Sequence, residues 1–434
     1  MRVGLVKNLK GWRAGLVLAW MAALFCVPLR GAGGLKDKKQ PQQPEPEKRP
    51  WMLASERPEM TVGVEPLGFY PPGAYFQGQR QSLVSLDFLD ENRLLFSFRA
   101  PGLIHRSSNS DGEERQVRAV VLDLPSGRVE SEAVWTLHDH ARYLWMLKDG
   151  HFLLRDEDDL KVGDASLELK PLLHFPGPLL WMEMDPEQQY LVTDSHEPPS
   201  PANESTGAGK QPEEANAPAE SGAPEIVLRV LQRASGQVIL VSRVHNPVYL
   251  PINAAGYVET KQANLRQWRL DLNQFSGGTQ SMGRVDSTCD LRIDFVTQKR
   301  LVATACNPDG TRRLVALGTD GRRLWEAPTA PNQVWPILVM SPEGSRMVRE
   351  TLFVTHPIDV FSPLSFEDVL GQLVEVYDTA TGKVVARVPA SPVLDGGGNV
   401  AISPSGKRLA VLDAGLIQVY DVGGSGTAPP VAAH

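Results

Sequence analysis

Two stretches near the C-terminus repeat one arrangement of residues, and a repeat constrains a fold more tightly than any composition does. Ser403-Pro404-Ser405-Gly406-Lys407-Arg408-Leu409-Ala410-Val411 is followed by Ile417-Gln418-Val419-Tyr420-Asp421-Val422. Upstream, Ser341-Pro342-Glu343-Gly344-Ser345-Arg346-Met347-Val348 is followed by Val374-Glu375-Val376-Tyr377-Asp378 and then Thr381-Gly382-Lys383. Each copy reads as a turn, a strand, a gap, a strand ending in Asp, and another turn. A unit this small cannot bury its own faces, so copies must stack. The pattern predicts stacked four-stranded sheets and says little about chemistry.

The rest of the chain alternates short β-rich runs with clusters of turn residues, an all-β signature with no sustained helical period. Blade one is expected at 82–88, 93–99, 117–124 and 128–135. Blade two covers 142–147, 151–155 and 167–175. Blade three covers 179–184, 190–193, 226–232 and 237–243. Blade four, the most poorly marked, covers 248–252, 257–260, 265–272 and a Gly-rich piece to 285. Blade five is the clearest, at 291–295, 301–305, 313–318 and 322–326, with Asp309-Gly310 and Asp320-Gly321 as hairpin turns. Blade six covers 335–340, 345–353, 373–378 and 383–388. The seventh group holds only three strands, at 400–403, 408–412 and 417–420. A sheet with a bare edge invites pairing with other molecules. The unassigned run 61–65, ahead of blade one, can supply the missing strand. These readings predict a seven-bladed β-propeller over 60–422 closed by an N-terminal strand, at roughly 48 residues per blade. The weak blade four leaves six and eight as alternative counts.

The Ser-Pro-x-Gly-(Lys/Ser)-Arg turn and the Val-Tyr-Asp strand end resemble those of WD40-like propellers, including the YVTN-like and quinoprotein-like bacterial relatives. The likeness is strongest in blades five to seven. The chain lacks the Gly-His and Trp-Asp signatures of that superfamily, so no subfamily is implied.

Residues 1–33 read as an export signal. Arg2, Lys7, Lys10 and Arg13 precede a charge-free apolar run over 14–29, and the small residues Gly31, Ala32 and Gly33 follow. The run is short for a membrane span, which favours cleavage and a secreted or periplasmic protein; the alternative is a retained N-terminal anchor facing outside the cytoplasm. Removing 1–33 takes away Arg2, Lys7, Lys10, Arg13 and Arg30 and no acidic residue, lowering the formal net charge from −7 to −12. An acidic body without a basic stretch argues against nucleic acid as a partner. Three segments are too polar, or too rich in Gly and Pro, to build a core: a linker at 34–59, an insert at 195–224 and a tail at 423–434. The repeat continues across the insert, which reads as a long loop inside a blade.

Two cysteines remain after export, Cys289 and Cys306. A turn centred on Thr297-Gln298 sets them directly opposite each other in blade five, and an oxidising compartment would join them.

Catalytic signatures are sparse. His138-Asp139-His140 is the only dense run of metal-capable groups, and a metal generally needs three or four converging ligands; an ordinary polar loop is the simpler reading. Gly396-Gly397-Gly398 has no following Lys or Ser/Thr and reads as the connection into the last blade. Trp145, Trp181 and Trp335 hold comparable places in the first strands of their blades. They read as packing between blades or as aromatic lining of the channel, with Glu183 and Asp294 adding charge beside them. No cofactor, metal or catalytic residue is predicted. The expected function is that of an exported, monomeric, non-enzymatic scaffold for a protein or peptide in the cell envelope or outside. The competing readings are a propeller enzyme (hydrolase, lyase or quinoprotein-like dehydrogenase) with a site at the channel mouth, and a structural envelope protein tethered by its N-terminal segment.

Overall fold

The computed structural model describes residues 56–71, 83–100, 105–106, 113–138, 142–197, 225–330, 332–334, 337–358, 364–394 and 397–424. The expected signal, most of the linker, nearly all of the tail, and Asp139, His140 and Trp335 lie outside these residues.

Seven antiparallel sheets follow one another along the chain. Blade one contains Ser85–Phe88, Arg93–Arg99, Glu113–Asp123 and Arg128–Leu137, with the short His105–Arg106 paired to the start of its third strand. Blade two contains Leu144–Met146, Phe152–Asp156, Asp159–Gly163 and Lys170–His174. Blade three contains Leu179–Met184, Tyr190–Glu197, Glu225–Gln232 and Val238–Val244. Blade four contains Ile252–Asn253, Gly256–Asn264, Gln267–Gln274 and Thr279–Asp286. Blade five contains Arg292–Thr297, Arg300–Cys306, Arg312–Gly318 and Arg323–Pro328. Blade six contains Ile337–Met340, Arg346–Val354, Val369–Asp378 and Val384–Ala390. Blade seven contains Val400–Ile402, Arg408–Asp413 and Leu416–Asp421, and its fourth, outermost strand is Met60–Gly63. That strand pairs antiparallel with Leu416–Asp421, Met60 opposite Val419 and Gly63 opposite Leu416. The ring of seven and its closure by an N-terminal strand are as the repeat predicts, and blade four is complete. Among the described residues, helix is limited to two 3-10 turns, Glu65–Leu67 and Phe366–Asp368, and no helix is long and apolar enough to cross a membrane.

Period-2 alternation explains the core. In Arg93–Arg99, Leu94, Phe96 and Phe98 point to one face and join Ala410, Leu412 and Ile417 of blade seven; Leu95 points to the other and joins Leu144, Phe152 and Leu154 of blade two. The same division recurs around the ring, so that one buried apolar cluster fills each junction between neighbouring blades. Both faces of a middle strand are thus dry, which is why these strands read as near-continuous hydrophobic runs.

The repeated motif has a physical role at each position. Ser341 Oγ accepts the Arg346 N–H at 3.0 Å, and Ser403 Oγ accepts the Arg408 N–H at 3.1 Å, closing equivalent turns. Gly344 and Gly406 sit at φ of +70° and +73°, where a side chain would also strike the neighbouring blade. Tyr377 stacks on Trp325 of blade five, and Tyr420 packs between blades six and seven. Asp378 Oδ1 accepts the Thr381 N–H at 2.9 Å, and its other oxygen meets Arg346 Nη1 at 2.7 Å.

Three expectations need correction. Blade two has a strand, Asp159–Gly163, that the acidic run 156–159 leading into it masks in the hydrophobic pattern; it forms a two-residue hairpin through Glu157-Asp158. The insert does not begin at 195: Ser195, His196 and Glu197 are strand residues paired with Val227, Ile226 and Glu225. The first hairpin of blade five turns at Gln298-Lys299, because Thr297 pairs with Arg300 beyond a bulge. Cys289 therefore lies ahead of the ladder and not directly opposite Cys306. The two are nonetheless joined, with Cα atoms 5.5 Å apart. Ser287 folds the chain back to allow it. Its Oγ accepts the Cys306 N–H at 3.0 Å and donates to the Cys289 carbonyl at 2.7 Å.

Candidate functional site

The first strands of the blades surround a central cavity of about 320 Å³. At the low end of the range for small-ligand sites, it holds a few side chains of a partner or one small molecule. Its apolar wall includes Met146, Met184, Ile337 and Val400. The charged and polar groups against that wall include Asp87 from blade one, Arg142 leading into blade two, Glu183 from blade three, Tyr249 leading into blade four, and Arg292 and Asp294 from blade five.

Strand alternation puts these groups in the cavity. Ser85 and Asp87 share one side of their strand while Leu86 and Phe88 enter the junction with blade seven. Arg292 and Asp294 share a side while Ile293 is buried in the junction with blade four. Residues 248–251 precede the two-residue first strand of blade four and carry Tyr249 across to blade five.

The groups form one electrostatic cluster. Tyr249 donates its hydroxyl to Asp294 Oδ1 at 2.7 Å, and Arg292 Nε lies 3.7 Å from Asp294 Oδ2. The Arg292 guanidinium sits 5.4 Å over the Tyr249 ring, which meets Trp181 edge-on at 5.2 Å. Arg142 lies 5.1 Å over Trp145 and donates through Nε to the Leu144 carbonyl at 3.1 Å. Burial pushes the Asp87 carboxyl up to about 6, against the Ser85 hydrogen bond and the Arg142 charge, which favour its ionised form. Burial also raises Glu183; Asp294 adds like-charge repulsion, while Arg142 and Arg292 oppose both effects. Tyr249 is held well above its ordinary range by burial and by the charges of Asp294 and Glu183, so it stays a neutral donor.

The residues singled out from sequence fall in different places. Trp145 is buried among Leu179, Met182 and Leu191 at the junction of blades two and three, with an edge on the cavity. Trp181 packs with Tyr190 and Tyr257 between blades three and four and reaches the cluster only through Tyr249. Glu183 and Asp294 do face the cavity and do act on each other. His138 is held at the junction of blades one and two, where its N–H and ring Nδ1 meet Asp156 Oδ1 at 2.9 and 3.2 Å. Elsewhere in blade two, Asp158, Asp159 and His174 are the one trio among the described residues whose ligand atoms all lie within 4.8 Å of one another. Gly397 and Gly398 enter blade seven at φ of +73° and +101°, and a side chain on Gly398 would strike the Val84 carbonyl. Asp87, Arg142, Tyr249 and Arg292 carry no motif that marks them in the sequence. A polar residue interrupting a first strand was the available signal, and surface strands carry the same signal.

Seven consecutive sheets, closed by an N-terminal strand around a lined channel, make this chain a seven-bladed β-propeller. No family model matches it, and no curated protein does. Among solved structures, the WD40 domain of Toxoplasma gondii coronin aligns over 84% of both chains at 9% identity and a TM-score of 0.43. The acylaminoacyl peptidase of Pyrococcus horikoshii aligns over 78% of this chain and 52% of its own at 10% identity and a TM-score of 0.45. Hydrazine synthase of Kuenenia stuttgartiensis aligns over 79% of this chain and 77% of its own at 13% identity and a TM-score of 0.32. Likenesses this distant carry no argument about function; the fold assignment rests on the strand pairing itself.

Proposed function

We propose that this propeller is an exported, non-enzymatic binding scaffold that receives part of a protein or peptide partner at the charged end of its channel. One observation carries the reading: Arg142 and Arg292 lie on aromatic rings beside Asp87, Glu183 and Asp294, all facing one open cavity from four blades. Charged groups held by a rigid ring, and not satisfied among themselves, are suited to recognition, because the partner completes their pairing at little ordering cost. The Cys289–Cys306 bond supports an oxidising destination.

The test is affinity capture from envelope extract with the full-length protein and with a Glu183→Gln/Asp294→Asn variant. A partner recovered by the parent and depleted at least about tenfold by the variant is expected, the scale of losing a charge-assisted contact. Equal recovery by both would move the binding surface elsewhere. Turnover of a substrate that disappears in the variant would instead make the channel an active site.

A further inference from the structure

The two kinds of charge in the channel are not equally provided for. Each guanidinium has a neighbour of its own. Arg142 has the Trp145 ring and the Leu144 carbonyl; Arg292 has the Tyr249 ring and Asp294. The carboxylates are poorer. Among the described residues, Asp87 accepts one hydroxyl, from Ser85. Glu183 accepts one backbone N–H, from Met184, at a long 3.4 Å. Asp294 accepts the Tyr249 hydroxyl through Oδ1, but its Oδ2 is buried without a hydrogen bond. A carboxylate taken out of water needs two or three donors to recover its hydration.

We propose that this end of the channel is a receptor for a basic side chain: the ammonium or guanidinium of a partner's lysine or arginine enters among Asp87, Glu183 and Asp294, while Arg142 and Arg292 stay on their aromatic rings. The inference rests on the reading that a partner binds at the channel. Three observations select an organic cation over other ligands. The carboxylates are too spread for a bare metal ion, because among the described residues no channel trio brings its oxygens within 4.8 Å of one another. A group with several N–H donors on a long apolar stem spans such a gap and lays its stem against the cavity wall. The cavity, at about 320 Å³, has room for such a side chain with its stem. The excess of carboxylates over guanidiniums, with a chain of formal charge −7, favours a cation over an anion. The raised Asp87 and Glu183 carboxyls agree, since burial outweighs the compensation each receives when ionised.

The proposal is tested by isothermal titration of the purified full-length protein at pH 7.5. N-acetyl-lysine methylamide and N-acetyl-arginine methylamide are the probes, the norleucine analogue is the neutral isostere, and N-acetyl-glutamate methylamide is the anion. At least one basic probe is expected to bind at one equivalent, and the norleucine analogue at least about tenfold more weakly. Glu183→Gln should weaken the basic probe by about tenfold or more. Arg292→Gln should strengthen it, because the guanidinium that competes for Asp294 is gone. The Arg292 variant keeps the test open if Glu183→Gln fails to fold by circular dichroism. Equal binding of norleucine, no binding of either basic probe, or binding of the glutamate probe abolished by Arg292→Gln would each overturn the proposal. If the basic probes fail while partner capture still depends on Glu183 and Asp294, only this inference falls; if capture is also unaffected, the binding scaffold reading falls with it.

Discussion

Replacing Met60, Thr61 and Val62 by glycine removes the side chains that hold the closing strand and leaves the chain length unchanged. Met60 and Val62 are partly buried against the cluster that contains Ile417 and Val419. Half of a full burial for each comes to about 2 kcal/mol. Three new glycines on strand positions add about 2 kcal/mol more through the freedom they gain on unfolding. The expected loss of about 4 kcal/mol is a large share of the 5–15 kcal/mol typical of folded domains. For a folded body of this size it corresponds to a melting temperature lower by roughly 6 °C. It also frees the edge of Leu416–Asp421, which is otherwise covered by Met60–Gly63. A bare edge pairs with other molecules, so the variant should associate in a concentration-dependent way. Thermal unfolding followed by circular dichroism, with size-exclusion chromatography over a range of concentrations, reads both effects. A variant that melts within a degree of the parent and elutes identically at every concentration would show that the ring does not depend on this strand.

Two further outcomes are expected. Non-reduced peptide mapping should recover Cys289 linked to Cys306, and the double Cys→Ser variant should lose about 3 kcal/mol, the loop entropy for a separation of 17 residues; free thiols in exported protein would contradict the pairing. Asp194 is fully buried and accepts one hydrogen bond, from the Val248 N–H at 2.6 Å, and burial raises its carboxyl from 3.8 to about 6. Between those values the folded state holds a proton that the unfolded state has released, so this group stabilises the fold as pH drops through 6 and its contribution is lost as pH rises past 6. Asp194→Asn should therefore raise the melting temperature at pH 8, with a ceiling of about 3 kcal/mol, and the gain should shrink toward zero at pH 4. A gain independent of pH, or a loss at pH 8, would sink that account.

The ring was legible because its signals are local. Ser-Pro-x-Gly turns and Val-Tyr-Asp ends specify the same hydrogen bonds wherever they occur, as the matching Ser341 and Ser403 turns demonstrate. Register was harder. A bulge before Thr297 moved the blade-five turn by one place, and bulges leave no mark in a hydrophobic pattern. The charged channel was only half legible. Glu183 and Asp294 stood out beside the tryptophans, but the cluster draws on residues from Asp87 to Asp294, and nothing in the chain announces that five blades meet at one point. Trp145 and Trp181 look alike in sequence. Trp145 lines the cavity while Trp181 lies behind Tyr249; a bulge between Leu179 and Trp181 shifts the register of the strand that carries Trp181 and not of the one that carries Trp145.

The direction of the closing pair has a mechanical consequence. Met60 lies opposite Val419 at one end of the ladder and Gly63 opposite Leu416 at the other. Tension between the segment before Met60 and the segment after Asp421 is therefore applied at the same end of the pair. The bond from the Glu59 N–H to the Val419 carbonyl, at 2.8 Å, carries the load first, and each later bond is loaded only after its predecessor breaks. Such a pair peels apart at low force, whereas a pair pulled from opposite ends shares the load across every bond. The ring is sealed against heat by its buried clusters and against neighbours by its covered edge, yet it opens like a zip when pulled at the seam.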